Sequence, residues 1–335
     1  MSSSNPAVLI VLGAITLLCG AGTASAFREG TGETCAGSAP QQSSELKATN
    51  QAVRVPLRDR SIVFHLYLPK QMSADAPLVL YNSGSGGWHQ FDDYVATALA
   101  LRGMPVCGIS THTYLKTFFS TSHPATATEL VSDFGSIITE ARKIVGAENS
   151  RPVILSGWSL GAGYAPMVAS DSQIKANVRG VISIAIARDN EKALSVGNRL
   201  LSRITGRTFG PSFDVTEYLA RAFPLPVAVI QPAEDRSTSP KRTNRLIAAT
   251  GEKAATTLRL FEVATGHNHS FAGGLPEFDH ALDEALAWIN ERGPQSGEGP
   301  PSSALLTLAH HLKNNAIYRD TYQVSRRASG CHHQV

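Results

Sequence analysis

Val153-Ile154-Leu155-Ser156-Gly157-Trp158-Ser159-Leu160-Gly161-Ala162-Gly163-Tyr164 is the stretch from which the rest of the chain can be ordered. Its first three residues form a short apolar run of the kind a strand buried on both faces requires. Its last residues, through Ala169, suit a helix that bends at Pro166. Between them Gly157 and Gly161 flank Ser159 with the G-x-S-x-G spacing of a strand-to-helix turn, so tight that larger neighbouring side chains would clash. The turn projects the Ser159 hydroxyl above the sheet edge, and the following helix directs its N-terminus at the same point.

Working outward from that turn, the chain alternates strands and helices. Ser61 to Leu68 mixes β-branched and aromatic residues and reads as the first clear strand. Pro77 to Tyr81 is a second, running into the Gly-rich loop Asn82-Ser83-Gly84-Ser85-Gly86-Gly87. Asp92 or Asp93 can cap a helix through Leu101, and Pro105 to Ile109 follows as a buried strand. Thr126 to Val145 carries Leu130, Phe134, Ile137, Ile138 and Ala141 at helical spacing and stops at Gly146. After the Ser159 turn come strands at Gly180 to Ile186, Pro226 to Ile230 and Thr257 to Val263, a short helix around Leu246 to Ala249, and a closing helix from Phe278 to Ile289. Residues 188–223 interrupt the alternation with a polar, partly helical insertion placed to cover a site. This order predicts an α/β fold with a mostly parallel sheet, helices on both faces and right-handed connections, spanning residues 51–292.

A serine hydroxyl is a poor nucleophile at neutral pH and needs a base, a group that orients the base, and donors for the developing oxyanion. In a fold of this kind the acid follows a later strand and the base follows the last one. Asp235 occupies the first slot, with Glu234 as the alternative. His269 occupies the second, because Ser270-Phe271 would anchor its loop in the core, and His267 stays open as the other base. The oxyanion donors are expected to be the Leu160 N–H and an N–H of the Gly-rich loop, Ser85 first and Gly86 next. No cofactor is required, and no G-x-G-x-x-G lies between a strand and a helix as a dinucleotide site would demand. Cys107 lies inside a strand rather than at its end, which argues against a thiol nucleophile.

The 335 residues carry 42% hydrophobic content, enough for one full core, and a formal net charge of +3 without the clustered Lys/Arg runs that nucleic acid selects. Met1 to Ala26 has no charged side chain, and its apolar run Ala7 to Leu18 is short for a membrane span. With Ala24-Ser25-Ala26 before Phe27 it reads as a signal peptide, followed by a flexible segment over 27–50. Export to the periplasm or beyond is the expectation. Cys107 reads as a buried small hydrophobe, leaving Cys35 and Cys331 as the pair open to a bridge. Residues 293–335 change to Gly/Pro/Ser and then to a basic end whose paired histidines at 310–311 and 332–333 read as a solvated tail rather than a metal site.

The stretch Leu78 to Asp189 resembles the VirJ-type bacterial virulence proteins, a periplasmic branch of the α/β-hydrolases. The likeness rests on Ser83 to Trp88 after a strand, on Gly108 followed by Tyr114, and on Gly157 to Ala162 with Pro166 soon after. The family usually has Asp where this chain has Ser85. The resemblance implies an α/β-hydrolase fold and hydrolysis of an aminoacyl or acyl ester of an envelope lipid, with peripheral contact to the membrane surface. Two readings remain at this level: a serine ester hydrolase, and a non-catalytic exported binding protein that keeps the scaffold.

Overall fold

In the computed structural model the chain is described over residues 49–73, 75–120, 122–146, 151–186, 189–191 and 212–294. The stretch read as a signal peptide, Cys35 and Cys331, and the tail from 295 onward lie outside the described residues, as does most of the 188–223 insertion.

The main sheet has eight strands: β1 (Thr49–Leu57), β2 (Arg60–Leu68), β3 (Leu78–Asn82), β4 (Val106–Ile109), β5 (Val153–Trp158), β6 (Val178–Ile184), β9 (Val227–Glu234) and β10 (Leu258–His267). They lie in the order β1-β2-β4-β3-β5-β6-β9-β10. The pairs β1/β2 and β2/β4 are antiparallel and all the others are parallel. From β3 the chain moves outward to β4 on one side and then crosses to β5 on the other. The strand order therefore reverses between β3 and β5, and the crevice at the carboxyl ends of these strands is where open α/β sheets place their ligands. Ser159 directly follows β5, and the Gly-rich loop directly follows β3.

Strand alternation sorts the apolar runs to two cores. Leu78 and Leu80 of β3 and Leu155 of β5 join α3 (Ala127–Ile144) and α4 (Leu160–Ala169) on one face, through Leu130, Phe134, Ile137, Tyr164 and Met167. Val79, Tyr81 and Ile154 join α1 (Gln90–Leu101) and α9 (Leu275–Arg292) on the other, through Phe91, Val95, Leu99, Phe278, Leu282 and Leu286. Burying each such side chain is worth about 1.5–3 kcal/mol, so a polar residue at any of these positions is excluded on either face. The remaining helices are α2 (Thr111–Phe118), α5 (Ser172–Lys175), α6 (Val215–Ala222), α7 (Pro240–Ala248) and α8 (Glu252–Ala255). In the insertion, β7 (Asp189–Glu191) and β8 (Ser212–Asp214) pair antiparallel ahead of α6.

The structure departs from the sequence expectations in several places. β1 begins at Thr49, inside the segment read as flexible, and was not anticipated as a strand. Its period-2 signal is confined to Val53, Val55 and Leu57, because an edge strand buries only one face, and Pro56 fits such an edge. The cap of α1 is His89; Asp92 stands at N3 and reaches back to accept the His89 N–H at 2.8 Å. The helix α2 was not foreseen, because its eight residues bury only Thr111, Tyr114 and Leu115.

Candidate active site

The turn after β5 is strained in the manner its sequence requires. Ser159 has φ 56° and ψ −114°, a backbone conformation that L-residues hold only when their surroundings impose it. Its N–H donates to the Ile184 carbonyl at 2.9 Å, and its carbonyl accepts from the Ala162 N–H at 3.1 Å. A Cβ at Gly157 would lie 2.4 Å from the Gly161 backbone, and one at Gly161 would lie 2.2 Å from the Asn82 carbonyl oxygen. Both glycines are thus demanded by the packing of one backbone on another. Leu160 opens α4, at the positive end of that helix.

The Gly-rich loop is pinned at its base and passes beside the serine. The Ser83 N–H donates to Ile109, the Thr111 hydroxyl donates to the Ser83 carbonyl at 2.6 Å, and the Thr111 N–H donates to the Ser83 hydroxyl at 3.1 Å. A turn closes between the Gly87 N–H and the Gly84 carbonyl at 3.3 Å, and His112 Nδ1 stands 3.2 Å from the Ser85 carbonyl oxygen. A Cβ on Gly84 would lie 3.4 Å from the Ser159 Cβ and 3.0 Å from the Trp158 ring, so the loop backbone and Ser159 meet here without a side chain between them. Ser85 and Gly86 are exposed at the loop's tip.

Trp88 sets the far end of this loop. Its ring lies over Gly108, where a Cβ would come within 2.0 Å, and it stacks on His65 at 4.1 Å and 3°. Its Nε1–H donates to Asp93 at 2.8 Å, and the Tyr67 hydroxyl donates to the same carboxylate oxygen. The neighbouring Asp92 is fully buried and accepts from the Tyr81 hydroxyl at 2.9 Å. Burial pushes its carboxyl up to about 6, against the lowering effect of the His89 N–H and Tyr81.

Opposite the loop, β9 ends at Glu234, and Asp235 turns its side chain fully inward. One Asp235 oxygen accepts from His269 Nδ1 at 2.8 Å and Gln231 Nε2 at 2.9 Å, and the other from the Ser237 N–H at 2.7 Å. Burial pushes this carboxyl up. The His269 hydrogen bond and charge, with the N–H groups of Ser237 and Thr238, outweigh burial and hold it below the usual carboxylate range. Glu234 is exposed. His269 rests on Asp235 through its Nδ1. His267 ends β10 paired with Glu234, and its side chain lies outside the described residues.

The His269 loop is held by its own sequence. Asn268 and Phe271 take φ 58° and 59°, and the Asn268 carboxamide oxygen accepts from the Ser270 N–H at 2.9 Å. Phe271 is fully buried, packed on Phe91 at 5.5 Å and Phe278 at 4.9 Å. With Nδ1 on a carboxylate, the ring keeps Nε2 for proton transfer. Residues that the sequence did not single out for the site are Trp158, Gln231, Asp93 and Thr111. The one available signal was Trp158, the aromatic residue at the second position of the turn. Cys107 is buried in β4 and its thiol is pushed up to about 12 by burial, which makes it inert as a nucleophile. Among the described residues no group of His, Cys, Asp and Glu could hold a metal ion, and no helix is long and apolar enough to cross a membrane.

Residues 76–220 match the family model described as bacterial virulence protein VirJ. No curated protein matches the chain by sequence. Among solved structures, a proposed dienelactone hydrolase from Klebsiella pneumoniae aligns at TM-score 0.55 and 13% identity, covering 73% of this chain and 99% of its own. Est1E from Butyrivibrio proteoclasticus aligns at TM-score 0.52 and 13% identity, covering 72% and 99%. An acylaminoacyl peptidase from Pyrococcus horikoshii aligns at 0.54 and 12%, covering 78% of this chain and 45% of its own. At such identities the likeness carries the fold alone: the chain has an α/β-hydrolase fold, with the strand order and turn after β5 that go with it, and it resembles the VirJ family over residues 76–220.

Proposed function

We propose that the protein is an exported serine hydrolase of carboxylic esters in which Ser159, His269 and Asp235 form the triad. The observation that carries this reading is the buried Asp235 on His269 Nδ1, in a loop tied to the residue preceding Ser159 by the Trp158 to His269 hydrogen bond of 2.8 Å. Ser159 Oγ attacks the ester carbonyl while its proton passes to His269 Nε2. The tetrahedral oxyanion is met by the N–H groups of Leu160 and Ser85. The intermediate collapses to the acyl-serine, and the departing alcohol takes the proton from His269. Water then attacks the acyl carbon, giving its proton to Nε2; the second tetrahedral intermediate expels the Ser159 oxygen, which takes that proton back from His269 as the carboxylic acid departs. Asp235 keeps its charge throughout and stabilises the imidazolium. The chemistry needs no cofactor.

The VirJ resemblance supports an aminoacyl or acyl ester of an envelope lipid as substrate, with peripheral contact to the membrane surface. The uncharged stretch Met1 to Ala26 supports export. A fluorophosphonate probe is expected to label the wild-type protein and leave Ser159→Ala unlabelled, with hydrolysis of a p-nitrophenyl ester lost in parallel. A folded wild-type protein that resists the probe would return the chain to the binding-protein reading.

A further inference from the structure

Trp158 is a side chain that touches both the His269 loop and the Gly-rich loop. It closes β5, one residue before the nucleophile, and its indole leaves the sheet half-buried. On one side Nε1–H donates to the His269 main-chain carbonyl at 2.8 Å, and the ring lies 5.4 Å from the imidazole, tilted by 39°. On the other, its Cε3 stands 3.0 Å from where a Gly84 Cβ would be, so the ring forms a wall of the Gly-rich loop. Behind, it meets Phe91 edge-on at 5.3 Å, and Phe91 in turn stacks on Phe271 of the His269 loop.

The His269 carbonyl needs such a tether. Asn268 holds its positive φ with the help of the hydrogen bond its side chain accepts from the Ser270 N–H, but Phe271 holds φ 59° with a bulky side chain, a conformation that costs energy and is kept by contacts beyond the loop. Asp235 grips the imidazole at Nδ1 and can stop it swinging, but one hydrogen bond at the ring edge leaves the backbone beneath it free to shift. A second attachment at the main chain of the same residue removes that freedom. The attachment begins on the residue covalently joined to Ser159, so base and nucleophile are referred to one rigid point, the end of β5.

We propose that Trp158 is a positioning residue for the reaction: its N–H sets the distance of the His269 base from Ser159, and its ring sets the Gly-rich loop that supplies an oxyanion donor. This rests on the serine-hydrolase reading. It assigns the two halves of one indole to two steps, the N–H to proton transfer and the ring to oxyanion stabilisation.

Trp158→Phe and Trp158→Tyr keep an aromatic ring against Gly84 and remove the indole N–H, whereas Trp158→Leu also removes the ring. Steady-state turnover of a p-nitrophenyl ester and the rate of fluorophosphonate labelling are the readouts, with thermal unfolding in parallel. The Phe and Tyr variants are expected to lose about 10-fold in kcat, with KM within about twofold and labelling slowed by the same factor as kcat. Trp158→Leu is expected to lose a further 10-fold or so, because the oxyanion donor also moves. Wild-type kcat in the Phe and Tyr variants would overturn the proposal, as would a loss that appears only in KM or follows the unfolding temperature alone. Ser159→Ala keeps the two failures apart: if it is inactive while Trp158→Phe is unimpaired, only the positioning role falls. If Ser159→Ala still turns over the ester, the hydrolase reading falls with it.

Discussion

The two sides of Ser159 each rest on a buried aspartate, and the two carboxylates titrate in opposite directions. Asp235, behind His269, is held below the ordinary range; Asp92, behind the Gly-rich loop, is pushed up to about 6. Both are buried and both accept at least two hydrogen bonds. What differs is the balance between burial and the groups around each carboxyl. Asp235 faces an imidazole that can carry positive charge, whereas the donors on Asp92 are a tyrosine hydroxyl and a backbone N–H, both neutral. For Asp92 the loss of water, with the like charge of Asp93, outweighs the His89 N–H, the Tyr81 hydroxyl and the His89 imidazole, whereas for Asp235 the His269 hydrogen bond and charge, with the Ser237 and Thr238 N–H groups, outweigh burial. One carboxylate is held charged against an imidazole, as the proposed triad needs, and the other braces a helix start.

The sharpest way to break this contrast is at the base. His269→Ala is expected to lose about 10,000-fold in kcat, and His267→Ala to stay within about threefold, in p-nitrophenyl ester turnover. A wild-type rate in His269→Ala would mean that the Asp235 to His269 bond has no catalytic role. Next is the acid: Asp235→Asn, which keeps the shape and removes the charge, is expected to cost about 1,000-fold or more in kcat with little change in KM. Should Asp235→Asn keep its rate, the charge at this position would be incidental.

On the other side the effects fall on stability. Because the folded state raises the Asp92 pKa from 3.8 to about 6, its relative contribution is fully present below pH 3.8 and is lost as pH rises through about 6. That loss is on the order of 3 kcal/mol. Asp92→Asn is expected to flatten unfolding temperature against pH between about 4 and 6 while moving kcat at neutral pH by less than about 10-fold. An unchanged slope across that window would show that Asp92 ionises as freely in the fold as out of it.

How much of this was legible depended on whether the signal was local. The Ser159 turn could be read because two glycines four residues apart report a backbone too close for side chains, and in the structure a Cβ on Gly157 or Gly161 would come within 2.4 and 2.2 Å of other backbone atoms. The strands β3, β5, β6 and β9 could be read because burial on both faces leaves continuous apolar runs. β1 could not, since a one-sided edge strand with a proline carries too few apolar positions. Asp92 was read as one of two cap residues because its sequence position fits that, and only the placement of Tyr81 and His89 made it a buried acid. The choice between His267 and His269 as the partner of Asp235 was likewise outside the reach of spacing.

By itself the sequence determined the α/β alternation, the turn that must contain Ser159, and the loops after strands that hold Asp235, His269 and the glycines, because each follows from side-chain volume, burial or backbone strain within a few residues. Tertiary structure alone decided which histidine rests on Asp235, that Trp88 lies on Gly108, and that Trp158 reaches a carbonyl 111 residues further along the chain. These are contacts between segments brought together by strand order, and no local pattern of residues records which distant atom a side chain will meet.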